Sequence, residues 1–394
     1  MALFLKIVAA FFVAICIFVV ALIWFVKVKL RSFAGDLMKQ VMAAATPTVP
    51  PFRMKIRPVD SEDIEWSNET ELNRLSEEFE VAGFEQISDY QTDDAPVALR
   101  AFYHPEQNSY GVIYEHPAAG YWCDVTRRYT DDSSWTITST KEHGMDSPPS
   151  SRVVFMPQEP IAVLFEKLLE VSPVNNIEPC SAEGFQKRFE TGYAKEMNWQ
   201  IDRGGPTEQE IRRIAEINGQ ECDQQMVDTI QEQWKSAIAD FLSERVIQMW
   251  KKENPDSADE RAGIQHRVTV VHNRSTSQQL MNAVFPDFCM DDLDELDADD
   301  FDLDDPDDRQ EFEQLERRKA LMQQLKMDLR AGSVRSAFEK LLTSAGVADQ
   351  WKKLGEVARP INSDLWLQPE FIDDDDDEDS EDDEFEDDLD LDDE

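Results

Sequence analysis

The sequence predicts an α+β protein. It would carry an N-terminal transmembrane helix, a small antiparallel sheet with one covering helix, a mainly α-helical region and disordered acidic segments. Three observations carry this. Ile7 to Val26 is an uncharged apolar run between Lys6 and Lys27; strand-like stretches alternate between residues 97 and 140; and from Gln158 onward apolar residues recur at helical spacing, interrupted by blocks of acid.

The apolar run holds twenty residues, and a helix of that length spans roughly 30 Å, the thickness of a bilayer core. A cleaved signal peptide fits less well. Such segments have shorter cores that end in small residues, whereas this run ends Leu22-Ile23-Trp24-Phe25-Val26 and is followed by Lys27, Lys29 and Arg31. The expectation is a single-pass protein contacting the lipid bilayer through residues 7–26, with the excess of basic flanking charge placing the body in the cytoplasm. Five singly spaced cysteines, Cys16, Cys123, Cys180, Cys222 and Cys289, do not form a disulfide framework.

Organisation follows from composition. Residues 1–34 read as the anchor and its basic flank, and 35–58 as a linker rich in small residues and proline. An α+β domain is expected over 59–157. Asn68 caps a helix with Leu72, Leu75, Phe79 and Ala82 on one face, and Gly83 ends it. Strands follow at about 97–104, 109–116, 120–129 and 134–140, and short turns between them imply an antiparallel meander. With four-residue loops at the first two turns, Val97, Leu99, Ala101, Tyr103, Tyr110, Val112, Tyr114, Tyr121, Cys123 and Val125 share the face that the helix covers. The other face is mixed and half wet. Arg127 then points inward, so a bulge is expected after Val125.

Residues 158–290 read as mainly helical. Helices are expected near 161–169, 181–199, from a Thr207/Glu210 capping box, and over 223–252; Val268–Val271 is an isolated strand for the edge of the sheet. An acidic linker covers 291–308. Helices at about 309–330, 333–344 and 347–357 make a small unit over 309–360, and 361–394 is a disordered acidic tail.

Net charge is −43. Residues 291–308 hold twelve Asp/Glu and residues 373–394 hold eighteen, with no base in either. Such blocks repel phosphates, which excludes nucleic acid as their partner and favours a basic protein. In the tail Phe385, Leu389 and Leu391 interleave with acids, a pattern suited to partner docking.

Catalytic signatures are missing: there is no GxGxxG, P-loop, GxSxG, HExxH or CxxC. No cofactor is expected. In the expected register His116 and Cys123 share a face, where a histidine at the rim of an apolar surface beside a buried thiol is the better reading than zinc or a nucleophile. Asp300, Asp302, Asp304 and Glu311 hold positions 1, 3, 5 and 12 of a calcium loop. Asp305 replaces its glycine and Pro306 follows, so loose cation condensation is the better reading. Arg100, Glu115, Asp124 and Arg128 on the wetter sheet face would line a pocket around Trp122. The function expected is that of a membrane-anchored, non-catalytic scaffold recruiting basic partners through acidic segments. The alternative is a membrane-tethered enzyme or ligand sensor using the Trp122 pocket.

Overall fold

A computed structural model describes residues 49–93, 96–117, 119–254, 267–286, 301, 303 and 305–369. The chain is mixed α+β, with a seven-stranded and a three-stranded sheet and, among the described residues, eight α-helices. It divides into two compact units, one running to His143 and including Ser147–Lys195, the other holding Gly144–Asp146 and everything from Glu196. The expected single-pass membrane protein with a cytoplasmic body is corrected. Among the described residues no helix is long and apolar enough to cross a membrane, and the run at 7–26 lies outside them, as does the tail with Phe385, Leu389 and Leu391.

In the first unit, β1 (Ile56–Val59) is followed by α1 (Glu69–Val81) and then by β2 (Glu85–Thr92), β3 (Ala98–His104), β4 (Ser109–His116), β5 (Gly120–Arg128), β6 (Ser134–Thr138) and β7 (Ser151–Phe155). The strands lie in sequence order, each pair antiparallel except the last. The Asn68 side chain accepts from the Glu71 amide at 3.1 Å, satisfying one of the donors that a helix start leaves unpaired. Leu72, Leu75 and Phe79 on α1 then pack on the sheet together with Ile161, Leu164, Phe165 and Leu168 of α2 (Ile161–Val171).

The register differs from the expected one by a single residue in β5. His116 pairs with Gly120, leaving three residues in the turn, so Ile113 faces Cys123 and Tyr114 faces Trp122. Side chains alternate with period two, and a slip of one sends every side chain of the strand through the sheet. Cys123 and Val125 lie under α1 as expected, but on β3 and β4 the helices cover the opposite face from the expected one, packing on Phe102 and Ile113. Leu99, Ala101, Tyr110 and Val112 lie on the opposite face, which is buried too: α3 (Phe185–Arg203) begins over it, with the Phe185 ring 5.3 Å from Tyr90 and 5.5 Å from Tyr110.

The bulge expected after Val125 is not there, because the β5–β6 pairing runs without a shift from Asp124 to Arg128. Arg127 does point inward and is buried. Its guanidinium donates to the Gln107 carbonyl and side chain, to Ser109 Oγ and to Ser172 Oγ, so the chain satisfies the charge where it lies.

In the second unit, α4 (Glu208–Ile217) opens on the expected capping box of Thr207 and Glu210. The longest helix, α5 (Gln224–Glu253), is capped by Asp223. β8 (Val268–His272) does not extend the larger sheet. It pairs with β10 (Ser363–Leu367), which also pairs with β9 (Lys352–Val357). α6 (Ser277–Val284), α7 (Pro306–Ala331) and α8 (Val334–Ala345) pack their apolar stripes around Val271, Trp351 and Trp366. Two expectations fail here. Residues 352–357 are a strand where a helix is expected, and 363–367 are its central partner where acidic tail is expected. Leu365 is buried between Val268, Val270 and Val357, and Trp366 packs edge-on against Phe338, so tertiary contacts override local composition.

Candidate functional site

A polar constellation of the first unit lies where α1 begins. Glu115, buried on β4, accepts hydrogen bonds from the Ser67 amide at 3.0 Å and from the Ser67 hydroxyl. The next amide, Asn68, donates to the Tyr121 hydroxyl, and the Tyr121 ring stacks on Trp66. On the same sheet face Arg100 makes a bidentate ion pair with Asp89, 2.7 and 2.8 Å, donates to Ser76 Oγ and sits 5.7 Å from the Trp66 ring centre. A cleft of about 470 Å³ opens beside Glu115, lined also by Asp63, Ser67, Gln91, Val97 and Pro117. Sequence reasoning does not find Trp66, Ser67, Asp89 or Tyr121; the one signal is a serine directly before the N-cap.

Chemically this arrangement positions rather than activates. Both protons that Ser67 offers go to Glu115, and the carboxylate anchors the chain entering α1. Asp89 neutralises Arg100 across the strands, and Ser76 takes a further guanidinium proton.

The five residues of the expected pocket are divided by the sheet. Arg100 and Glu115 face α1, whereas Trp122, Asp124 and Arg128 lie on the face where α3 begins. There Trp122 stacks on Tyr114 at 5.0 Å. Burial, with the charge of Asp124 beside it, pushes the Tyr114 hydroxyl well above its usual range. Burial and the neighbouring Arg188 lower the Arg128 pKa. A Cβ built on Gly192 of α3 would lie 1.9 Å from Arg128 Nη2, so the helix backbone closes over the guanidinium. His116 shares this face, away from Cys123, whose thiol burial raises well above the ordinary value.

A second cleft, about 280 Å³, is bordered by Glu71, Arg74, Glu78, Trp122, Ser139 and Ile161. Its charges are mutually engaged. Arg74 pairs with both glutamates, and Glu78 also accepts from the Ile161 amide at the start of α2.

In the second unit His272 is buried and its Nε2 lies 3.2 Å from Ser243 Oγ, the spacing of a serine–histidine pair. The Arg274 amide donates to Nδ1 at 3.1 Å, so the neutral ring carries its proton on Nε2, directed at Ala239 O and Ser243. That tautomer cannot take a proton from Ser243. Of the calcium set, Asp300, Asp302 and Asp304 lie outside the described residues, and Glu311 lies within α7, whose first residue is Pro306. Among the described residues no group of three or more His, Cys, Asp or Glu side chains is placed to hold a metal ion.

Comparison with protein family models finds no match, and neither the curated proteins nor the solved structures contain one.

Proposed function

We propose that this chain is a non-catalytic interaction protein that recruits basic partners through its acidic segments. The observation that carries the reading is the charge pattern: thirty of the chain's 82 acids stand in two runs, 291–308 and 373–394, that contain no Lys or Arg. Self-repelling blocks of this density gain free energy by exchanging bound cations for a polycationic surface, and they repel nucleic acid. Phe385, Leu389 and Leu391 give the second block apolar side chains for a protein partner.

The engagement of the body's buried charges supports the same reading. Glu115 anchors α1, Asp89 balances Arg100, Arg127 ties a loop, and Glu210 closes a capping box. An enzyme or sensor built around Trp122 has less support, because Arg100 and Glu115 lie across the sheet from it. Cross-linked capture from native extract tests the proposal, comparing the full chain with one ending at Ile372. A defined basic protein that is captured by the first and lost by the second supports it. An identical captured set would reduce the tail to a solubilising segment.

A further inference from the structure

Between the two acidic runs the chain changes sign. Residues 309–359 contain eleven Lys/Arg against seven Asp/Glu, a net charge of +4 in a chain of −43. The bases concentrate on one element. In the second half of α7, residues 317–331, five bases stand against the single acid Asp328, and Asp328 is engaged by Lys340. Lys319, Lys326 and Arg330 follow at i, i+7 and i+11, which places them in one stripe about 16 Å long. The stripe borders the face buried by Leu315, Leu321, Met322 and Leu325, and Lys319 at its start is half-buried and pairs with Glu316 at 3.3 Å. Lys326 and Arg330 are exposed and make no ion pair among the described residues, and Met327 beside them is 54% exposed.

A surface with three bases and an apolar side chain fits an acidic segment that itself carries apolar residues, and this chain supplies one nearby. We propose that the tail, residues 373–394, docks in cis on the Lys319–Lys326–Arg330 stripe of α7. The fold brings its origin close, since Trp366 at the end of β10 packs in the same cluster as Leu321, Leu325 and Leu329. Eighteen residues of chain from Leu367 to Phe385 can span up to about 60 Å, well beyond the length of the stripe. Docked acids would neutralise the bases while Phe385, Leu389 or Leu391 covers Met327. Tethering supplies an effective concentration of order millimolar, enough for a contact of individually weak pairs. The inference rests on the tail being the recruiting segment and adds its regulation: a basic partner must displace the tail from α7 before it can bind.

Zero-length carbodiimide cross-linking of the full chain, with peptide mapping of the monomer, tests the docking. Intramolecular links from Lys326 to acids of 373–394 are expected at low salt and should vanish at high salt. Links from Lys326 to residues 291–308 alone, or no links, would overturn it. Charge reversal, Lys326→Glu with Arg330→Glu, should raise the affinity of the full chain for a lysine-rich peptide roughly two- to tenfold. An unchanged affinity for a bound peptide would also overturn the docking. If the links form but neither protein binds the peptide, docking stands and the recruiting role falls.

Discussion

The ring of Phe79 on α1 lies against Gly111 on β4, so closely that a Cβ built on the glycine would be 2.2 Å from the ring. Gly111 pairs with Phe102 in the ladder, and Phe79 stacks on Phe102 with centroids 4.6 Å apart. The glycine is what lets the helix seat on the sheet. Gly111→Ala should destabilise the protein by about 1–3 kcal/mol through overpacking, and Phe79→Ala by about 3–5 kcal/mol through the cavity it leaves. Urea unfolding followed by circular dichroism measures both; an unshifted midpoint for Gly111→Ala would show that the helix does not depend on this contact.

The Asp89–Arg100 pair is withdrawn from water, with Asp89 at 1% and Arg100 at 9% exposure. Removing one partner leaves a buried charge, so Asp89→Asn should cost about 3–5 kcal/mol. Replacing both, Asp89→Leu with Arg100→Met, should cost much less. A double-mutant cycle by thermal unfolding decides it: additive effects would mean that the two side chains do not interact.

Much of this architecture is legible in the sequence, and the exceptions have physical causes. The helix at 69–81 and the strands at 98–104, 109–116 and 120–128 follow from capping, periodicity and turn residues. The face of β5 relative to β4 does not, because it depends on whether Gly120 belongs to the turn or to the ladder. Its φ of +73° is the left-handed conformation that closes a three-residue loop, so Gly120 pairs with His116 and every later side chain crosses the sheet. That one residue also decides the candidate site, separating Arg100 and Glu115 from Trp122, Asp124 and Arg128. β2 hides for another reason. Its inward residues include Asp89, which reads as polar surface until Arg100 is placed opposite. β9 and β10 are short and charged, and only their packing on Phe338 and Val268 makes them strands.

The second unit should lose stability in two steps as pH falls. Burial depresses the His272 pKa from 6.5 to about 4. The unfolded chain therefore binds a proton that the folded chain refuses, and stability falls between pH 6.5 and about 4. Burial alone would raise the Glu210 carboxyl, but hydrogen bonds from Arg203, Thr207 and the Asp146 amide outweigh it and hold the pKa at about 2. Its contribution is present above the ordinary 4.5 and is lost below it. Each window is worth at most about 3 kcal/mol. His272→Asn, which keeps an acceptor for the Arg274 amide, should flatten urea-unfolding stability between pH 6.5 and 4 and leave the lower window in place. An unaltered slope would show that His272 is not the group responsible.

Glu115 holds the start of α1 through Ser67, and the two substitutions should separate geometry from charge. Glu115→Gln keeps an acceptor and should be nearly neutral, whereas Glu115→Ala strands the Ser67 amide and should cost about 1–3 kcal/mol. Amide exchange at Ser67 and Asn68 reports it directly, accelerating in the alanine variant alone. Equal acceleration in both would mean that the carboxylate charge, and not the acceptor, holds the helix.

The central claim is that the acidic runs bind a basic partner, and its most direct test is calorimetric titration of a lysine-rich peptide into the full chain and into the chain ending at Ile372, each at several salt concentrations. Binding that weakens steeply with salt, and that is lost or strongly reduced without the tail, is the predicted result. Equal binding by both chains, or none by the full chain at low salt, would contradict it.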